Sequence, residues 1–169
     1  MESIPPTGPL PALLGTLARW LAAAGGLLLV AIALMTVASV AGRVFLSSPI
    51  QGDVELVQLA CAVAVSWFLP WTQWQRSNIM VDFFTAGASD VTRRRLDALG
   101  TLALGLVMAL VCWRTAAGGL AARDNEEVSM LLAVPVWIPY ALMTPGLGLT
   151  ALVSFHRAWE QATGRADHG

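Results

Sequence analysis

Four long stretches of this chain carry no charged residue, and their lengths constrain the fold more than any motif does. A helix needs ~20 residues to cross the ~30 Å hydrocarbon core of a bilayer. Three of the stretches reach that length, and the third in order does so if Arg114 extends its side chain to the headgroups. The sequence therefore predicts an all-α integral membrane protein with four transmembrane helices. They are expected near 19–42, 54–75, 95–117 and 131–156.

Tryptophan positions support these limits independently, because indole rings concentrate at membrane–water interfaces. Six of the 7 tryptophans lie within a few residues of an expected helix end: Trp20, Trp71, Trp74, Trp113, Trp137 and Trp159. Trp67 is deeper and shares a helical face with Trp71 and Trp74. That spacing favours a packing role for Trp67 over a ligand site.

Composition excludes several other classes of protein. The chain is 56% hydrophobic and only 12% charged, whereas soluble domains have about 25% charged residues. Its net charge of −1 provides no basic patch for nucleic acid. Cys61 and Cys112 each stand alone in an apolar run, which is typical of small hydrophobic residues rather than of a disulfide or redox pair.

The arginines predict the orientation, since cytoplasmic loops of membrane proteins are enriched in basic residues. Seven arginines lie on the side of the termini and the 76–95 loop, and three lie on the other side. The first group is Arg19, Arg76, Arg93, Arg94, Arg95, Arg157 and Arg165; the second is Arg43, Arg114 and Arg123. Both termini are therefore expected in the cytoplasm.

The remaining segments complete the expected organisation. Residues 1–18 contain four prolines, which predicts a flexible tail before a membrane domain over 19–157. Within 76–95, a short interfacial segment is predicted between helices two and three from the apolar residues Ile79, Met80, Val81, Phe83 and Phe84, which lie around Asp82. Helix four is expected to be kinked and packed against protein, because it carries Pro135, Pro139, Pro145, Gly146 and Gly148. Residues 158–169 are expected to form a cytoplasmic tail.

The sequence contains no arrangement of residues that is typical of a catalytic site. The central parts of the four expected helices contain no ionisable residue, which a proton relay or a membrane enzyme would need. The two histidines, His156 and His168, lie at and beyond the last helix end, which disfavours a haem-binding anchor. We therefore expect neither an enzyme nor a bound cofactor.

Residues 43–82 resemble one family in the order and spacing of their motifs. The run GRVFLSSPIQGDVEL is followed by SWFLPW and then by QRSNIMVDFF. This resembles the small membrane subunit, DctQ-like, of tripartite ATP-independent periplasmic (TRAP) transporters. Asn78 stands where that family most often has His. The VSMLLAVPVWIPY run over 128–140 also looks like the family's entry to helix four.

The resemblance implies a scaffold subunit of an ion-gradient-driven importer of organic acids, in the bacterial inner membrane. Its partners would be a large multi-span permease subunit, which would bind Na⁺ and solute, a periplasmic solute-binding protein, and membrane lipids. The alternatives are a small subunit of a tripartite tricarboxylate transporter and a cofactor-free anchor of an oxidoreductase. Arg43 and Glu55 flank the same turn and would pair with each other or with the large subunit. The matching positions suggest five assembly residues: Arg43, Glu55, Arg76, Asn78 and Asp82.

Overall fold

The computed structural model describes residues 9–46, 51–75 and 90–163. These residues form four helices, which we number α1 (Pro9–Leu46), α2 (Asp53–Trp74), α3 (Asp90–Asp124) and α4 (Trp137–Thr163). Each helix contains a segment long and apolar enough to cross a membrane. The prediction of an all-α membrane protein with four spans is thus confirmed, and the orientation of the termini stays a prediction.

The helices pack in a row and not in a closed bundle. α1 lies against α2, α2 lies against α4, and α4 lies against α3, with a smaller contact between α1 and α4. Within the described ranges, α1 and α3 share no extended contact. We compared the most apolar 18-residue segment of each helix. In α4, 44% of that segment is buried, whereas the buried share is 6% in α1 and 11% in α3. α4 is therefore the central helix, and α1 and α3 expose most of their apolar surface.

The flexible tail predicted over 1–18 was wrong for residues 9–18, which form the first turns of α1. Pro9 and Pro11 both lie in the first turn of that helix, where backbone N–H groups have no intrahelical acceptor to lose. Leu14 and Ala18 then join a buried cluster with Leu149 and Val153 of α4. This packing stabilises the start of α1. Residues 1–8 lie outside the described part.

The C-terminal end of α3 and both ends of α4 also differ from the prediction. α3 continues past residue 117 to Asp124, because Gly118 and Gly119 let the helix approach Tyr140 of α4; a Cβ on Gly119 would lie 2.8 Å from Tyr140 Cβ. α4 begins at Trp137 and not near 131, since Pro135 is bridged to Val128 in the preceding connection. α4 also continues to Thr163, so residues 158–163 are helical rather than part of a tail.

Candidate functional site

The turn between α1 and α2 contains an ion pair that the sequence did not predict. The Arg43 guanidinium lies 3.6 Å from the Asp53 carboxylate, and the Arg43 side chain is 61% exposed. Ser39, which is fully buried on α1, donates a 2.6 Å hydrogen bond to the same carboxylate oxygen of Asp53. Asp53 therefore ties the end of α1 to the start of α2, and Arg43 contributes from the solvent side.

Glu55 does not form the pair with Arg43 that we considered; it binds the connection between α3 and α4. The backbone N–H groups of Met130 and Leu132 donate to its two carboxylate oxygens over 3.1 and 3.2 Å. Such charge-assisted bonds are stronger than bonds between neutral groups. Glu55 thus links the first turn of α2 to a connection that lies 75 residues or more away in the chain.

Gly52 makes this contact sterically feasible. Its φ of 73° lies in the left-handed region, and a Cβ there would lie 2.5 Å from Cγ of Leu132. A side chain at this position would therefore both strain the backbone and displace Leu132. Glycine allows the Leu132 side chain to lie directly against the start of α2.

The connection over 125–136 forms a hairpin closed by backbone hydrogen bonds. Val128 is bridged to Pro135, and the Ser129 N–H and the Val136 N–H donate to the carbonyls of Val134 and Glu127 over 2.9 and 3.0 Å. Two residues have positive φ, Glu126 (52°) and Ala133 (51°), which lets the chain reverse within a short segment. We call residues 125–136 the outer hairpin.

The middle of α2 contacts the proline-containing part of α4. Pro70 has no backbone N–H, so the Ser66 carbonyl of α2 lacks its usual donor within the helix. Gly146 of α4 lies so close to this carbonyl that a Cβ on residue 146 would overlap it. Such an approach allows a weak Cα–H···O contact. In the other direction, Trp67 Nε1 donates a 2.7 Å hydrogen bond to the Leu142 carbonyl, three residues before Pro145. Each helix thus covers backbone groups near the proline of the other.

The opposite end of the helices is held by Arg157, which sequence reasoning noted only as a topology signal. Its guanidinium lies 5.3 Å from the ring centroid of Trp74 and also donates to the Trp74 carbonyl. The same ring packs on α1 at Gly15, where a Cβ would lie 2.8 Å from Trp74 Cε2. The tryptophan spacing on α2 was the available signal, but it did not specify the arginine.

Three of the five expected assembly residues lie outside the described part: Arg76, Asn78 and Asp82. The interfacial segment predicted between the second and third helices lies there as well. No group of three or more His, Cys, Asp or Glu in the described ranges is arranged to hold a metal ion. His156, the histidine that these ranges include, has its Nδ1 3.7 Å from a carboxylate oxygen of Glu160 on the same helix.

Four membrane-length helices, joined at both ends and in the middle by polar contacts, define a multi-pass membrane protein built for helix packing. Residues 32–164 match the family model described as tripartite ATP-independent periplasmic transporters, DctQ component. The chain belongs to this family, as its resemblance over 43–82 suggested. It is therefore the small component of a TRAP transporter, and its family is one of transporter components and not of enzymes. Comparison with curated proteins and with solved structures gave no match.

Proposed function

We propose that this chain is the scaffold subunit of a TRAP transporter that imports an organic acid, driven by an ion gradient. Its large multi-span partner would bind the solute and the coupling ion, Na⁺, and a periplasmic solute-binding protein would deliver the solute. The observation that carries the proposal is the match of the family model over 32–164. That match favours this function over the tricarboxylate-transporter and oxidoreductase-anchor alternatives.

The distribution of charged side chains supports a scaffold role for this chain and solute binding by the large subunit. No side chain is charged between Leu56 and Trp74 of α2 or between Trp137 and Phe155 of α4. Asp53 and Glu55, at the start of α2, have backbone or side-chain partners within the chain. A carboxylate solute would need cationic or polar groups at membrane depth. The middle of α2 and α4 instead contains backbone contacts between closely packed helices. This arrangement suits a rigid support better than a solute pathway.

The exposed faces of α1 and α3 supply the surface that such a scaffold needs. Large apolar side chains follow these two helices on their outer sides, including Leu27, Leu34 and Val37 of α1 and Leu99, Leu106 and Leu110 of α3. Exposed apolar area of this extent is covered by lipid or by another membrane protein. Because α1 and α3 lie at the two ends of the row, one is available to the large subunit and the other to lipid.

The proposed location is the bacterial inner membrane, with both termini in the cytoplasm. Seven of the 10 arginines then lie on the cytoplasmic side, as the positive-inside rule requires. In this orientation the outer hairpin and the α1–α2 turn face the periplasm. Trp74 and Arg157 lie at the cytoplasmic end.

Co-expression with a large TRAP permease subunit from the same genome tests the proposal. We expect the two chains to purify together in mild detergent and to take up an organic acid in liposomes when the solute-binding protein and a Na⁺ gradient are supplied. Liposomes that contain the permease alone are the control. Full uptake by the permease alone would contradict the proposal.

A further inference from the structure

The tip of the outer hairpin is apolar and exposed, and its backbone is hydrogen-bonded to the start of α2. Met130 is 99% exposed and Leu131 is 71% exposed. Val128, two residues before Met130, is 55% exposed. Loop tips in water are usually polar, and a group of exposed apolar side chains marks an interaction surface. We call Met130 and Leu131 the hairpin tip.

The backbone of the tip is fixed from both sides. The Glu55 carboxylate accepts hydrogen bonds from the N–H groups of Met130 and Leu132, which enclose Leu131. Leu132 packs against Gly52, and the hairpin bonds close the loop behind the tip. A surface held in one conformation loses less entropy when it binds. The tip is thus preorganised for contact, although nothing within the described part of the chain covers it.

The charges around the tip indicate what kind of partner fits. Asp124, Glu126 and Glu127, just before the tip, are all exposed. Arg123, the nearest cation along the chain, has its guanidinium 5.7 Å from the ring centroid of Trp137. The three carboxylates would be repelled by anionic headgroups and would be costly in contact with hydrocarbon. They complement a protein surface in water that has an apolar depression with basic side chains around it.

We propose that the hairpin tip is a docking element for a water-soluble protein partner of this chemistry, and that Glu55 is its positioning residue. The inference rests on the proposed function, which places the outer hairpin in the periplasm and makes the solute-binding protein this partner. Met130 and Leu131 enter the apolar depression, and the three carboxylates face its basic border. Glu55 does not touch the partner; it holds the tip in the orientation that binds.

The test uses the complete transporter in nanodiscs and measures the affinity of the solute-binding protein by surface plasmon resonance. Met130→Ser with Leu131→Ser is expected to weaken binding at least tenfold without reducing the yield of the large subunit. Leu10→Ser with Leu13→Ser makes the same chemical change at the opposite end, where both side chains are also exposed (62% and 57%). This control is expected to bind like the wild type.

Two further variants separate positioning from contact. Glu55→Gln should accelerate hydrogen exchange at the Met130 and Leu132 amides and should increase the dissociation rate several-fold, whereas a purely structural role would lower the yield of the complex and leave its affinity unchanged. Asp124→Asn with Glu126→Gln should reduce the dependence of the association rate on salt.

The outcomes distinguish this inference from the proposed function. If the wild-type complex transports and the tip variant binds within twofold of it, the docking role is wrong and the proposed function stands. If the tip variant instead loses the large subunit, the tip belongs to the interface within the membrane and the inference is overturned. If the wild-type chains neither purify together nor transport, the proposed function fails and the inference fails with it.

Discussion

At the scale of single residues, the α1–α2 turn shows how differently two neighbouring carboxylates are used. Asp53 binds Ser39 and Arg43 within the turn, whereas Glu55, two residues later, binds the outer hairpin. The sequence placed Arg43 and Glu55 at the same turn correctly. The sequence did not specify which carboxylate pairs with Arg43, because Asp53 and Glu55 are both close to it in the chain. Backbone N–H groups can also bind either carboxylate in place of Arg43.

We expect Arg43→Ala to leave the isolated chain folded and to reduce the yield of the complex with the large subunit. Arg43 approaches Asp53 from the solvent side, where an ion pair contributes little to stability, while the Ser39 hydrogen bond keeps Asp53 in place. Thermal stability in detergent and co-purification yield measure the two effects separately. Arg123→Ala, at the same end of the helices, is the matched control. An unchanged yield would show that Arg43 only shapes the turn.

Gly52→Ala tests the contact between the α1–α2 turn and the outer hairpin. The left-handed φ of 73° and the adjacent Leu132 both oppose a Cβ at this position, so we expect a loss of at least ~1 kcal/mol in stability. Thermal unfolding of the purified chain measures this loss. Gly26→Ala is the control, because nothing lies within 4 Å of a Cβ there. Equal stability of the two variants would contradict the contact.

At the scale of helices, the sequence predicted that four membrane-spanning helices exist, but it did not predict the residues at which they begin and end. Charge-free stretches of membrane length require helices, because the backbone must satisfy its own hydrogen bonds in lipid. Where a helix ends outside that region depends on packing that a pattern does not encode. α1 extends back to Pro9 because Leu14 and Ala18 find partners on α4. Proline was a misleading signal there, since the first turn tolerates it.

The expectation that helix four is packed against protein was correct for a specific reason. Gly146 of α4 lies against the Ser66 carbonyl of α2, which Pro70 deprives of its own donor. Trp67, assigned to packing rather than to a ligand site, donates to the Leu142 carbonyl of α4. The sequence showed the prolines and the tryptophan but not which helix lay opposite. The contacts between α2 and α4 in the structure show which helix lies opposite.

Gly146→Ala should separate α2 from α4 and destabilise the chain by ~1–3 kcal/mol, the usual cost of overpacking. The added methyl group has no space because its neighbour is backbone and not a flexible side chain. The measurement is the melting temperature in detergent, with Gly100→Ala on α3 as the control, since a Cβ at residue 100 meets nothing within 4 Å. A Gly146→Ala variant as stable as this control would show that the two helices do not approach so closely.

At the scale of the whole molecule, the arginine distribution predicts how the chain is oriented in the membrane. With seven arginines on one side and three on the other, both termini should be cytoplasmic. A reporter fused at Gly169 should be read as inside, and one fused after Asn125, at the start of the outer hairpin, should be read as outside. The reverse result would place the hairpin tip in the cytoplasm and would contradict its proposed contact with a periplasmic protein.

The row of helices also predicts which property of transport this chain controls. α4 is covered on both sides by α2 and α3, and the contacts between α2 and α4 are made by backbone and by small or aromatic side chains. No solute passage is therefore expected through this subunit. Glu55→Gln should lower the rate of uptake and Arg43→Ala should lower the yield of the complex, while both leave the order of preference among competing organic acids unchanged. Competition assays in liposomes, with uptake normalised to the assembled complex, measure that order. A variant of this chain that assembles normally and prefers a different solute would show that the subunit lines the pathway.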